Sequence, residues 1–224
     1  MALRLYEAPA PNPFVVRLFA LERGGLDIDV EQIDIMTLQN RRLSYRTKVN
    51  PRGELPALRV GNEVITEITA ICELLDEVAT GGDSLFGNGP IERAKTRMWL
   101  RRMDLEIAQP IITWFRNDPD TIDFYKGNRL PTPQARVNEK VSINQALNRL
   151  DDELEGKNYL AGDRFSAADI HLYGLTKMMI SGPGAPAGWV LAPGRTNFLE
   201  YFARIDGRAA SQKALNTFGT PIKP

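Results

Sequence analysis

Apolar and polar residues alternate over residues 3–6, Leu3-Arg4-Leu5-Tyr6, and a period of two predicts a short strand. Pro9, Pro11 and Pro13 interrupt the alternation. Asn12-Pro13 then reads as a helix cap followed by proline at the first helical position. Val16, Leu18, Phe19 and Leu21 supply the apolar part of that helix, and Gly24-Gly25 ends it. Alternation returns over residues 26–35, with Ile28, Val30 and Ile33 apolar, and predicts a second strand. Residues 37–49 are polar and basic, a short helix or a loop. Asn50-Pro51-Arg52-Gly53 is a turn, because Pro51 fixes φ and Gly53 supplies permissive backbone. A strand opens at Leu55-Pro56 and runs to Val60. Proline cannot donate to a sheet ladder, so Pro56 belongs at the strand's first residue or at an edge. Gly61-Asn62 reverses the chain, Val64-Ile65 returns, and Thr66 is placed to cap the helix that follows. The order is βαβ, a linking segment, then ββα.

The pattern changes after residue 79. Thr80-Gly81-Gly82-Asp83 through Gly87-Asn88-Gly89-Pro90 is a break in composition and reads as a linker. Residues 91–116 form one long amphipathic run, bent at Pro110. Residues 134–155 carry Ile143, Leu147, Leu150 and Leu154 at helical spacing. Ser166 and Asp169 stand at capping-box spacing, each able to satisfy a free N–H of a helix start. A Gly/Pro-rich loop over 181–194 precedes a short helix over 197–205. The expected organisation is an α/β domain over 1–79, a linker over 80–90 and an all-helical domain over 91–224.

Composition narrows the function classes. The 224 residues carry 28 basic and 28 acidic side chains, and zero net charge argues against nucleic acid or an anionic membrane surface as the partner. No apolar run approaches the ~20 residues that span a bilayer, and residues 1–13 lack the apolar core of a signal peptide. A single cysteine, Cys72, excludes an internal disulfide and fits a reducing compartment, with the cytoplasm as default. Cys72 falls within a helix, where a buried apolar role suits it. A single histidine, His171, leaves no His-rich metal site, so no metal is expected, and it reads as a packed or surface helical residue.

Residues 50–75, NPRGELPALRVGNEVITEITAICELL, resemble the glutathione-site segment of the glutathione transferase superfamily, N-P-x-G-x-x-P-x-L, a hairpin, then E-S-x-A-I. Phe165-Ser166-Ala167-Ala168-Asp169 resembles the F-S-x-A-D box of the helical domain of that family. Residues 12–24 and 98–106 look most like bacterial and fungal members that lack a tyrosine site. The resemblance implies an N-terminal thioredoxin-like domain followed by an all-helical C-terminal domain, with glutathione as co-substrate. It implies a cis bond before Pro56 that exposes the Leu55 backbone to the cysteinyl part of glutathione. Glu67 would bind the γ-glutamyl ammonium. Ile68 stands where the family has serine, which removes one hydrogen bond, on the order of 1 kcal/mol. A two-fold homodimer is also implied, each thioredoxin-like half touching the partner's helical half.

The chemistry such a protein performs is to hold a thiol as thiolate beside an electrophile. A free thiol has a pKa of ~8.5. A helix N-terminus stabilises an anion by roughly 0.3–1 kcal/mol, up to ~2 when partly buried, and a donor hydrogen-bonded to the charge adds roughly 1.5–3 kcal/mol. Dipole and donor together suffice; the dipole alone is marginal. The family's Ser/Cys position falls on Ala10, which has no polar atom. Asn12 remains, with an amide able to donate to a thiolate, although the same residue type serves equally as a plain cap. Tyr6 points from its strand into packing rather than toward sulfur. Arg41, Arg42 and Lys48 are candidate clamps for the glycyl carboxylate, or else a solvated basic loop. The electrophile pocket would form between the domains from Ala10, Trp114, Phe115 and Arg116, with Phe124 and Tyr125 adding aromatic surface. Trp99 and Met103 read as helix core, and Arg102 and Arg116 could bind an acidic substrate. The expected activity is conjugation of glutathione to apolar or aromatic electrophiles. Glutathione-dependent ether or disulfide cleavage, and a non-catalytic binding protein of the same fold, are the alternatives.

Overall fold

The computed structural model describes residues 2–125, 127–181 and 187–224. The chain divides into two compact units, residues 1–96 with 206–224, and residues 97–205. In the first, β1 (Leu3–Glu7), β2 (Ile28–Gln32), β3 (Ala57–Val60) and β4 (Glu63–Thr66) form one sheet in the order β2-β1-β3-β4. β1 runs parallel to β2 and antiparallel to β3, and β3 pairs antiparallel with β4. Helix α1 (Pro11–Arg23) packs on α3 (Ile68–Val78) and on α9 (Ala209–Asn216). The stretch read as helix or loop holds a 3-10 turn over Gln39–Arg41 and the short helix α2 (Leu43–Lys48). This is the thioredoxin-like arrangement expected of the first half.

Three local expectations are corrected. The second strand is shorter than 26–35, because Asp34 turns the chain: its carboxylate accepts the N–H groups of Met36 (2.9 Å) and Thr37 (3.2 Å). Asn12 is not the cap of α1. The helix begins two residues earlier, with Ala10 as N-cap and Pro11 in the first turn, so Asn12 already lies inside. Thr66 does not cap α3 either; it is held in β4 opposite Ala57, and Glu67 takes the cap position.

The 80–90 segment is tied to the first unit through Ser84 and Leu85. Asp76, buried in α3, gathers it onto the first unit: its carboxylate accepts from Ser84 Oγ (2.5 Å), Leu85 N (2.9 Å) and Arg23 Nε (3.0 Å). At Gly25 a side chain would stand 2.0 Å from the Thr80 carbonyl oxygen, so only glycine allows this approach. The C-terminal segment returns to the same unit. Ile222 pairs with Ile28 beside the sheet, and Gly219 N–H donates to Glu7 (2.8 Å). Glu7 itself is fully buried against Arg17, whose guanidinium also reaches Thr217 (3.2 Å) and the Thr220 carbonyl (2.8 Å). The compact units therefore divide the chain elsewhere than at residues 79 and 91.

The second unit is helical, built from the end of α4 (Pro90–Met103), α5 (Gln109–Arg116), α6 (Ala135–Glu153), α7 (Ala167–Ser181) and α8 (Thr196–Asp206). The expected bend at Pro110 takes the form of a widened turn. Residues Asp104–Ala108 are π-helical, with Gln109 N–H donating to the Asp104 carbonyl. Pro110 has no N–H and its ring crowds the carbonyl four residues back, and one widened turn relieves both. Ile107, Ile111, Ile143, Leu147, Ile170 and Phe198 are among its buried residues. Of the Gly/Pro-rich stretch 181–194, residues 182–186 lie outside those described; the rest holds a 3-10 turn over Gly188–Leu191.

At the start of α7 the Ser166/Asp169 pair is realised, with one change. Asp169 is buried and accepts from Ser166 N (2.9 Å), Ser166 Oγ (2.8 Å), Leu160 N (2.9 Å) and Tyr201 OH (3.1 Å). The Ser166 hydroxyl thus donates to the carboxylate instead of accepting an N–H. Burial pushes the Asp169 carboxyl up from its usual range, against the hydrogen bonds that favour its charge.

Candidate functional site

Three chain ends meet at one edge of the sheet. Tyr6 lies opposite Ala57, and Ala57 opposite Thr66. The exit of β1 toward α1, the entry to β3 at Leu55-Pro56 and the exit of β4 into Glu67 therefore share one row.

At the first of these ends, donors are scarce. Ala10 N–H is spent on the Ala8 carbonyl (2.7 Å), and Phe14 N–H on the Ala10 carbonyl (3.0 Å). Pro11 and Pro13 have no N–H. Of the groups an α-helix leaves open at its start, only Asn12 N–H remains. The side-chain amide of Asn12, half-buried, makes no hydrogen bond among the described residues. Ala10 is half-buried and offers no polar side-chain atom.

At the second end the Leu55-Pro56 bond is cis, and Pro56 sits immediately before β3 as its missing N–H requires. The Leu55 side chain packs on Tyr6, Ile33, Tyr45 and Ala57. Its backbone N–H and C=O make no hydrogen bond among the described residues. The preceding carbonyl, of Glu54, is held by Tyr45 OH (3.0 Å) and Asn50 Nδ2 (3.1 Å). The backbone approaching Leu55 is thus fixed, while that of Leu55 is left open.

At the third end Glu67 adopts φ 72° and ψ 126°, a conformation that costs a non-glycine residue about 1–3 kcal/mol. Its side chain is exposed. The N–H groups of Ile68, Thr69 and Ala70 open toward the same place, since the first intrahelical bond is Ile71 N–H to the Glu67 carbonyl (3.0 Å). Such a terminus suits a carboxylate. Ile68 brings no hydroxyl to it.

Arg41 and Arg42 lie on a segment stitched to the turn before Leu55. Asn40 Nδ2 donates to the Gly53 carbonyl (2.6 Å) and Arg46 Nε to the Pro51 carbonyl (2.8 Å). Arg41 is half-buried, whereas Arg42 and Lys48 are exposed. Tyr6 is buried and its hydroxyl accepts from Arg59 Nε (3.1 Å), which places it in packing as its strand position implied. Cys72 is buried and burial pushes its thiol well up, so it is no nucleophile.

In the helical unit, Trp114 is 3% exposed, edge-on to Trp189 (centroids 5.3 Å apart), with the Arg136 guanidinium 4.5 Å over its ring. It belongs to the packing of that unit. Phe115 and Arg116 are half-buried; Arg116 lies over the Tyr125 ring at 5.6 Å and lines a pocket of about 330 Å³. Arg102 is corrected as a substrate ligand. It forms a bidentate pair with Glu153 (2.9 Å twice), reaches Glu106 (3.4 Å) and stacks on Trp99 at 4.5 Å. The Glu153 hydrogen bond raises the Arg102 pKa further. Trp99 and Met103 are core, as their spacing predicted. His171 is 2% exposed and its Nε2 stands 3.3 Å from Asp104 Oδ1. That hydrogen bond, ahead of other causes, lowers the Asp104 pKa. No set of three or more His, Cys, Asp or Glu among the described residues is arranged to hold a metal ion.

A mixed four-stranded sheet with an open cis-proline edge and two helix starts, followed by an all-helical unit, defines a thioredoxin-fold protein of the transferase type. Residues 11–78 match the glutathione S-transferase N-terminal domain family, and residues 111–207 its C-terminal domain family. The chain belongs to the glutathione S-transferase superfamily. Glutathione S-transferase F14 of Arabidopsis thaliana is 30% identical over 69% of this chain, which spans 60% of that relative's length. Protein LigF of Sphingobium sp. strain SYK-6 is 25% identical over 94% of this chain and 91% of its own. LigF has been solved as a β-etherase, and its structure superposes with a TM-score of 0.80, covering 96% of this chain and all but 1% of that one, at 23% identity. Gtt2 of Saccharomyces cerevisiae shares the fold at a TM-score of 0.83, covering 95% of this chain and 100% of that one, at 22% identity.

Proposed function

We propose that this protein is a glutathione transferase that ionises the glutathione thiol at the start of α1 and adds it to apolar or aromatic electrophiles. The observation that carries the reading is the unspent Asn12: its backbone N–H and side-chain amide are the donors left at that helix start. Leu55 would pair its open backbone with the cysteinyl unit, Pro56 shaping the approach. Glu67 and the N–H groups from Ile68 onward would hold the γ-glutamyl end, and Arg41 and Arg42 the glycyl carboxylate. The thiolate attacks the electrophilic carbon, the leaving group departs with the bonding electrons, and the thiol proton goes to solvent. Ala10, Phe115 and Arg116 remain proposed for the electrophile side; Trp114, also expected there, packs within the helical unit. We place the enzyme in the cytoplasm as a homodimer, consistent with exposed Ile91 (68%) and Met98 (49%) seven residues apart on α4, a state light scattering reads directly.

The test is Asn12→Ala. Loss of a hydrogen bond to a charged sulfur, roughly 1.5–3 kcal/mol, lowers kcat/KM about ten- to a hundredfold; an unchanged kcat/KM rejects the assignment. The LigF relationship favours a second reading, glutathione-dependent aryl-ether cleavage, in which the same thiolate attacks the carbon bearing the ether oxygen and a phenol leaves. Product analysis with a haloarene and a β-aryl ether separates the two.

A further inference from the structure

The connection that carries Asn12 is clasped from within the first unit. Glu7, the last residue of β1, and Arg17, midway along α1, stand on either side of Asn12 in the chain, and both are buried, at 0% and 1% exposure. Arg17 Nε donates to both Glu7 carboxylate oxygens (2.9 Å each) and Arg17 Nη2 to one of them (2.5 Å). A strand end and a helix are thereby tied across the residues between them. The tie brings no net charge with it, because a carboxylate and a guanidinium face each other.

Residues 217–220 complete the clasp. Thr217 Oγ accepts from Arg17 Nη1 (3.2 Å) and donates to the Lys213 carbonyl of α9 (2.7 Å), which joins Arg17 to that helix. The Thr220 carbonyl accepts from Arg17 Nη2 (2.8 Å), and Gly219 N–H donates to Glu7 (2.8 Å). A buried ion pair holds well only when its remaining donors and acceptors are met. Residues 217, 219 and 220 help to meet them here. The Phe218 ring lies 6.0 Å from the ring of Phe14, in the first turn of α1, and 5.8 Å from the Arg17 guanidinium. The turn is shaped for these contacts. Thr220 N–H and Oγ donate to the Thr217 carbonyl (3.2 and 2.7 Å), and Gly219 takes φ +79°, the left-handed region that favours glycine.

We infer that residues 217–220 hold the start of α1 in place, with Thr217, Phe218 and Gly219 as positioning residues for the thiol site. The inference rests on the transferase reading for the thiol and on this geometry for the positioning, so two readouts on the full chain test it. Hydrogen exchange without ligand follows Phe14 N–H, whose bond to the Ala10 carbonyl (3.0 Å) opens α1. Titration of the thiolate absorbance of bound glutathione follows the sulfur. Thr217→Val, a nearly isosteric change at a half-buried position, speeds Phe14 exchange about tenfold and raises the bound thiol pKa by about half a unit. Phe218→Ala moves both further. Thr217→Ser keeps the hydroxyl and restores both. Phe14 exchange indifferent to Thr217→Val and Phe218→Ala overturns the inference, whatever glutathione does. Faster exchange with an equally lowered thiol pKa on variants and unaltered protein also overturns it, and leaves the transferase reading standing, since the tail is then scaffold only. A bound thiol at its free pKa on the unaltered protein rejects the transferase reading and overturns the inference with it.

Discussion

Two helix starts in this molecule carry opposite loads. At α7 the carboxylate of Asp169 is buried and takes four hydrogen bonds, from Ser166 twice, Leu160 and Tyr201. At α1 the N-cap is Ala10, two of the first three helical residues are prolines, and the Asn12 amide is unspent. A terminus whose one carboxylate is buried and committed to four hydrogen bonds is scaffold. The α1 terminus, stripped to one polar residue at the edge of the sheet, keeps a donor for a ligand, and the proposed function uses it. The same physics of unpaired N–H groups thus yields anchoring in one place and, under the proposed function, chemistry in the other.

The largest effect that sharpens this contrast is at the satisfied end. Asp169→Ala leaves four buried donors without their acceptor and lowers unfolding stability by about 3–5 kcal/mol. Denaturant melts measure it, and a loss under about 1 kcal/mol would remove Asp169 from the scaffold. Asn12→Ala reverses the pattern, with melting unchanged and kcat/KM down as given above.

A gain tests the third helix start. Ile68→Ser restores a hydroxyl beside the open N–H groups of α3 and tightens glutathione several-fold, about 1 kcal/mol. Titration calorimetry reads it, and unaltered affinity would show that the γ-glutamyl end lies elsewhere. The smallest effect is at the π-helical turn. The Asp104 pKa is lowered in the folded state by His171, so its stabilisation is complete above the unfolded carboxyl pKa of ~3.9. It fades as pH falls through the lower folded value. Asp104→Asn removes that acid-side dependence, about 1 kcal/mol or less, in melts compared between neutral and strongly acid pH.

What the sequence made legible follows the same division. The turn at residues 50–53, the hairpin, the core roles of Trp99, Met103 and Cys72, and the Ser166/Asp169 box are local patterns, each written within a few residues. Glu7 and Arg17 were not legible as a buried pair, because the groups that complete it, Thr217, Gly219 and Thr220, lie about two hundred residues away along the chain. The fate of the 80–90 segment depended on the buried carboxylate of Asp76, which its composition does not reveal. Arg102 looked available for a substrate because Glu153 is distant in sequence, though a pairing of one guanidinium with one carboxylate across two helices is ordinary packing. At α1 the register of the helix start was not legible. The run Ala8-Pro9-Ala10 folds so that Ala8 accepts Ala10 N–H, and the helix starts before Asn12 can cap it. That shift frees the amide that a capping role would have occupied.

The account stands most directly on the ionisation of bound glutathione. Titrating its thiolate absorbance on the protein and on Asn12→Ala reads it without reference to any electrophile. The account predicts a thiol pKa at least about one unit below the free value of ~8.5 on the protein, rising toward that value in Asn12→Ala. The same pKa on both proteins would contradict it.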